Sequence, residues 1–208
     1  METLTKEKVA LEPSPRFMTE EEFVDFCDED IKAEFVDGEV IVHSPASTKH
    51  GSMSIFLASL VQFYVDQHNL GRVWGENSQV RLRPGLRRVP DLIFISKNSK
   101  VNITDTEVDG APDLAVEIVS PDSVDRDWRD KFLEYEKAGV KEYWIIDPSN
   151  ERMEIYCLND QGEYERQQIK EGRLESKVLP GFWLRPQWLW QEPLPSVIAI
   201  ARELKMRI

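Results

Sequence analysis

The 208-residue chain has little cysteine, little histidine and a deficit of positive charge. Its two cysteines, Cys27 and Cys157, lie far apart without CxxC or Cys/His spacing. That excludes a zinc ligand set and a disulfide scaffold and leaves two inert thiols. No apolar run approaches the roughly 20 residues of a membrane span. The opening METLTKEKVALEPSP lacks the apolar core of a signal peptide, so a cytoplasmic protein without a membrane partner is expected. A Gly-rich phosphate loop, a nucleophile elbow, an HExxH pattern and internal repeats are all missing. The net charge of −12 argues against passive binding of a polyanion, whose affinity comes mostly from neutralised phosphates. That deficit is local, because residues 1–39 hold 13 acids and 4 bases (−9) and the other 169 hold 25 and 22 (−3).

What is present is 41% hydrophobic and 31% charged, enough for one good core. A loosely held leader over 1–16, one domain over 17–190 and a helical tail over 191–208 are expected. The most informative stretch runs from Val89 to Pro121, where RVPDLIFIS and PDLAVEIVSP read as buried strands bounded by turn residues. Each carries an acid, Asp91 in the first and Glu117 in the second. An unpaired carboxylate in such a place is costly, since burial disfavours its charged form. A divalent cation held by hard oxygen ligands would compensate it, Mg²⁺, Mn²⁺ or Ca²⁺ rather than a softer metal. An internal salt bridge or a strand end reaching water would do so too. Arg81, Arg83, Arg87 and Arg88 crowd in just before Asp91, either as a solvated face or as a hold for an anionic substrate.

Upstream, Thr19 and Glu22 form a capping-box pattern for a helix stopped by Asp28-Glu29-Asp30. Asp37-Gly38 between two β-like runs signals a tight hairpin flanked by Glu34 and Glu39, whose plain reading is solvent-facing strand residues. Ile55, Phe56, Leu57, Leu60, Val61, Tyr64 and Val65 mark the longest helix, with Gly71 as its C-cap and His50 near its start. His50 is a cap or core partner, or faces a site. RVWGENSQVRLRP reads as one strand ending at Pro84-Gly85, and 96–111 as a long polar loop. Beyond the Glu117 strand come a helix closed by Gly139, the apolar strand VKEYWIIDP, and a β-meander at 152–158, 163–169 and 174–178. Trp188 and Trp190 are expected to plug a core edge, and SVIAIARELKMRI to form the terminal helix.

Strand, helix and strand in that order imply a crossover with the helix lying on one sheet face. Glu117 stands three residues before Ser120, roughly 10 Å back along a strand. Lys131 lies seven residues past Val124, also roughly 10 Å back along the returning helix. The two are level, so Lys131 can extend its ammonium toward the carboxylates, unless it pairs at the surface with Glu134 or Glu136.

Pro90-Asp91, then Glu117-Ile118-Val119, then a lysine on the next helix resembles the PD-(D/E)XK nuclease superfamily. The ordered blocks AEFVDGEVI, VPDLIFIS, APDLAVEIVSP, the Lys131 and Tyr135 helix, GVKEYWIIDP and SKVLPGF resemble the Uma-type restriction-endonuclease family from about Phe17 to Trp190. The superfamily's lysine stands two residues after the acid, where this chain has Val119; the resemblance implies that Lys131 replaces it. Pro112-Asp113 repeats the motif but sits at the strand's mouth, so Asp91 is preferred. The implied fold is α/β (α+β): a restriction-endonuclease-like mixed central sheet flanked by helices, with an additional β-meander. The implied activity is metal-dependent hydrolysis of DNA phosphodiesters. Asp91 and Glu117 would hold Mg²⁺ or Mn²⁺, Lys131 would serve the reacting water or phosphate, and Glu34, Glu39 and His50 are further candidates for the metal shell. Arg81, Arg83, Arg87 and Arg88 would steer phosphates, and the partners expected are DNA and a second copy in a homodimer. Two rivals stand beside this: an inactive nuclease fold acting as a binding or regulatory module, and a paired-carboxylate glycoside hydrolase.

Overall fold

The computed structural model describes residues 16–27, 31–76, 78–121 and 123–208. The chain opens with β1 (Arg16–Phe17), α1 (Glu20–Phe26), β2 (Ala33–Val36), β3 (Glu39–Val42) and α2 (Thr48–His68). Next come β4 (Gly71–Trp74), β5 (Gln79–Arg83), β6 (Leu86–Arg88), β7 (Leu92–Ser96), β8 (Asn102–Ile103), β9 (Glu107–Asp109) and β10 (Leu114–Ile118). A π-helical turn, Arg126–Asp130, leads into α3 (Lys131–Ala138), β11 (Glu142–Asp147), β12 (Arg152–Leu158) and β13 (Tyr164–Arg166). The chain closes with β14 (Leu174–Glu175), β15 (Trp183–Leu184), α4 (Pro186–Leu189) and α5 (Val197–Glu203).

Two mixed sheets carry the fold: β1-β3-β2-β6-β5-β9-β8, and β13-β12-β11-β10-β7-β4. In the second sheet β10 pairs antiparallel with β7 and parallel with β11, so the π-turn and α3 form the expected crossover. The larger core packs α2, through residues such as Leu57, Leu60, Val61 and Val65, against this sheet. Ile200, Ala201, Leu204 and Met206 from the C-terminal segment join it, with Trp188 buried and Trp190 packed at its margin. A smaller core of Ala115, Val119, Tyr135, Val140, Tyr143 and Ile145 unites β10 and β11 with α3.

Local chemistry explains most of the elements. Thr19 Oγ1 accepts from the Glu22 amide, and Glu22 Oε2 accepts from the Thr19 amide. The acidic stop at 28–30 and the leader, apart from Arg16, lie outside the described residues. Asp37 and Gly38 both have positive φ, 48° and 103°, as a two-residue hairpin turn requires.

Four expectations are corrected. The C-cap of α2 is Asn69, left-handed at φ 49°, and Gly71 instead opens β4. A Cβ there would stand 2.1 Å from the Ile95 carbonyl oxygen, so glycine is required by the close approach of β7. The single strand expected over 72–84 is two, β4 in one sheet and β5 in the other, because the chain crosses between sheets at Gly75-Glu76. The loop 96–111 holds the edge strands β8 and β9, the latter parallel to β5. The meander loses its third strand: β14 pairs with β15, where Gly181 at φ 86° turns the chain.

Candidate active site

One end of the parallel pair β10 and β11 opens into a cavity of about 500 Å³ whose lining includes Asp91, Glu117, Asp127 and Lys131. Asp91 precedes β7, where its amide donates to the Val116 carbonyl at 3.1 Å and its Oδ2 accepts from the Ile118 amide at 2.7 Å. These two bonds pin the motif aspartate beside the end of β10. Glu117, on β10, is 3% exposed. Its Oε1 accepts from the Tyr135 hydroxyl at 2.7 Å, and its Oε2 is 2.8 Å from Lys131 Nζ.

Lys131 is 1% exposed and lies between three acids: Glu117, Glu34 at 3.1 Å and Asp127 at 3.2 Å. The height matching of strand and helix is thus met, and the surface pairing with Glu134 or Glu136 is not what forms. The π-turn sets Asp127 one turn before Lys131, and the Tyr143 hydroxyl donates to the Asp127 carbonyl at 3.0 Å. Such widened turns are frequent at functional sites.

Glu34, which is fully buried on β2, brings the first sheet to the cluster and also accepts from Arg88 Nη1 at 2.8 Å. Burial works to raise its pKa, but Lys131, His43 and Arg88 outweigh that and hold it well below the usual carboxylate range. Glu117 goes the other way. Burial and the neighbouring Asp127, Asp91 and Glu34 push it up to about 8 against the pull of Lys131. Burial opposes a charged Lys131, yet Glu117, Glu34 and Asp127 together raise its pKa, and the ammonium stays protonated. Asp91 is also buried, but His50, Lys32 and the Ile118 amide keep its carboxyl below the ordinary value.

His50 lies in the first turn of α2, where Ser47 caps its amide at 3.1 Å. Its Nε2 is 3.3 Å from Asp91 Oδ2, and the same hydrogen bond raises the imidazole pKa. Glu76 also lines this cavity. Sequence reasoning missed it, because the alternating pattern over 72–84 places it inside one continuous strand; its only signal is the Gly75 beside it. Lys32, Lys49 and Arg126 supply positive charge at the cavity and were likewise not singled out.

Other sequence candidates lie elsewhere. Glu39 shares a strand face with Glu34 but stands two residue pairs nearer the turn, about 7 Å along, and is exposed. Arg81 and Arg87 both donate to Glu20, at 2.7 and 2.9 Å, and Arg87 also pairs with Glu107. Arg83 forms a two-pronged pair with Asp37, and Arg88 joins Glu34 to Glu134. The structure does not bring Arg81, Arg83 or Arg87 to the cavity, because each meets an acid of a neighbouring element. Asp113 sits at the far end of β10 and takes Lys141 at 2.6 Å and the Ser96 amide at 2.7 Å.

Comparison with known proteins bears on this arrangement. The family model Uma2, described as "Putative restriction endonuclease", matches residues 20–187. The chain belongs to the Uma2 family. Among solved structures, it resembles the crystal structure of a "putative nuclease belonging to DUF820" from Anabaena variabilis. The TM-score is 0.68 at 21% identity, over 83% of this chain and 97% of that one, which is a likeness of fold. No curated protein matches the chain. The Uma2 match spans both sheets apart from the edge strand β1, and every cavity residue named above. No helix among the described residues is long and apolar enough to cross a membrane.

Proposed function

We propose that this Uma2 chain is a divalent-metal-dependent endonuclease that hydrolyses phosphodiester bonds of DNA at the Asp91, Glu117 and Lys131 cavity. The observation that carries the reading is the 2.8 Å approach of Lys131 to Glu117 beside Asp91: the helix lysine reaches the acid that the motif's usual lysine would accompany. The donor set fits a divalent cation. It is carboxylate-rich and buried, and His50 Nδ1 has no hydrogen-bond partner. Asp91 and Glu117 would hold Mg²⁺ or Mn²⁺, which supplies a water of lowered pKa and countercharge for the phosphate.

Each side chain has a task in this scheme. Glu117, released from its proton, presents Oε2 to the cavity while Tyr135 fixes Oε1. Lys131, a compact point charge, neutralises charge developing on the phosphate or holds the attacking water. Lys32, Lys49 and Arg126 take the flanking phosphates that the sequence alone assigned to the four arginines. One cavity cuts one strand, so a homodimer is proposed for a duplex cut, tested by the mass of the protein in sedimentation.

A second reading has its own observation. The Lys131 ammonium has three protons and already faces three acids, as a purely structural ion cluster would. The inactive regulator therefore stays as the alternative. The deciding experiment incubates protein with plasmid and single-stranded DNA in Mg²⁺, Mn²⁺ or chelator, alongside Lys131→Met at a temperature where circular dichroism reports it folded. The nuclease reading expects cleavage that chelator abolishes, with a rate lowered about 10²-fold or more in the variant, the scale of one lost transition-state contact. A folded Lys131→Met protein cutting at the wild-type rate would overturn it.

A further inference from the structure

Asp91 has neighbours that hydrolysis at Glu117 and Lys131 leaves without a role. His50 places Nε2 3.3 Å from Asp91 Oδ2 and Nδ1 3.8 Å from Glu76 Oε1. One possible ligand atom from each of His50, Glu76 and Asp91 lies within 4.8 Å of the other two. The three come from separate parts of the chain: the start of α2, the crossing between sheets after β4, and the approach to β7. His50 Nδ1 is buried and has no hydrogen-bond partner, so it can carry the ring proton while Nε2 turns its lone pair to an ion beside Asp91 Oδ2. Two ligands at right angles around a small divalent ion, each 2.0–2.1 Å away, stand about 3 Å apart. The 3.3 Å between Nε2 and Oδ2 is close to that spacing.

We propose that His50, Glu76 and Asp91 form a cation site with one nitrogen ligand, which makes the cavity prefer Mn²⁺ to Mg²⁺ and Ca²⁺. The proposal rests on the nuclease reading for what the ion is for, but the binding it describes does not need cleavage. Carboxylates and water suit Mg²⁺, Ca²⁺ and Mn²⁺ alike, whereas imidazole suits first-row transition metals. Mn²⁺ is the ion on the oxygen side of that division that also follows the transition-metal order. Mg²⁺ gives up its water reluctantly and gains little from a nitrogen ligand. Lys32 is the competing cation, with Nζ 3.5 Å from the other oxygen, Oδ1, of Asp91. At that length, and on a side chain that is 22% exposed, it can swing away when an ion enters.

The test uses the full chain loaded with Mn²⁺ alone. Pulsed electron paramagnetic resonance is expected to detect a ¹⁴N coupling from a coordinated imidazole, lost in His50→Ala and kept in Glu76→Ala. Calorimetry is expected to give tighter binding of Mn²⁺ than of Mg²⁺ in the wild type. His50→Ala should weaken Mn²⁺ by about 10-fold or more, the lower end of what even a ligand's supporting partner contributes, and Mg²⁺ by less. Glu76→Ala, at an exposed position, should weaken Mn²⁺ without unfolding the chain. No nitrogen coupling in the wild type, or an unchanged Mn²⁺/Mg²⁺ ratio in folded His50→Ala, would overturn the proposal. A protein with the coupling that cuts no DNA would keep this site and sink the nuclease reading. One that cuts DNA equally with either ion and lacks the coupling would do the reverse.

Discussion

Asp91 and Glu117 are two buried carboxyl groups in one cavity, yet the fold treats them oppositely. Glu117, ordinarily near 4.5 and here about 8, binds its proton more tightly in the folded protein than in the unfolded chain. Its contribution to metal-free stability is therefore fully present below 4.5 and is lost as pH rises through about 8. Glu117→Gln is expected to flatten that decline and raise Tm in chelator at mildly alkaline pH, read by scanning calorimetry across the interval. Asp91 has the other sign, since its lowered pKa means that the fold favours its charged form. Asp91→Ala also strands the Ile118 amide, a loss of about 1–3 kcal/mol, or about 2–4 °C of Tm per kcal/mol in a chain this size. Equal shifts of one sign in both variants would contradict these assignments. Lys131→Met uncovers three buried carboxylates at once, so a drop of about 3–5 kcal/mol is expected in urea titration, far from the small cost of a surface pair.

Elements differ in how much of them the sequence discloses. The order Pro90-Asp91, Glu117 and Lys131 was legible because a strand and the helix returning over it fix heights by their own rises, whatever surrounds them. The capping box at Thr19 and the Asp37-Gly38 turn were legible for the same reason, being complete within a few residues. Partners that depend on sheet order were not. Which acids Arg81 and Arg87 meet follows from β6, β5 and β9 lying side by side and from α1 covering them, which no local pattern encodes. Glu76 was hidden for a related reason, because an alternating pattern persists across a break where the chain changes sheets. The β4–β7 contact gives a direct test. Gly71→Ala forces a methyl into the Ile95 carbonyl and is expected to cost about 1–3 kcal/mol or more, seen as faster hydrogen exchange along β4. Unchanged exchange there would mean that the two strands are not so closely apposed.

Over the whole molecule, the net charge of −12 leaves few cations for a polyanion. With Arg81, Arg83, Arg87 and Arg88 paired internally, Lys32, Lys49 and Arg126 are the cations lining the cavity besides Lys131, which is held by three acids. Three phosphate contacts predict a log–log salt dependence of DNA binding no steeper than about −3, and Lys49→Ala should reduce the slope by about 1. Fluorescence anisotropy in chelator measures both, and a much steeper slope would place the binding surface elsewhere. The same molecule-wide geometry bears on timing. Glu34 sits in the hairpin near one end of the chain, and the lysine that neutralises it lies 97 positions later, at 131. At about 5–20 residues per second, a ribosome takes roughly 5–20 s to cover that gap. Until then the hairpin carries an acid whose buried place does not yet exist. The nascent chain therefore cannot complete the cluster of Glu34, Glu117, Asp127 and Lys131 until α3 has emerged.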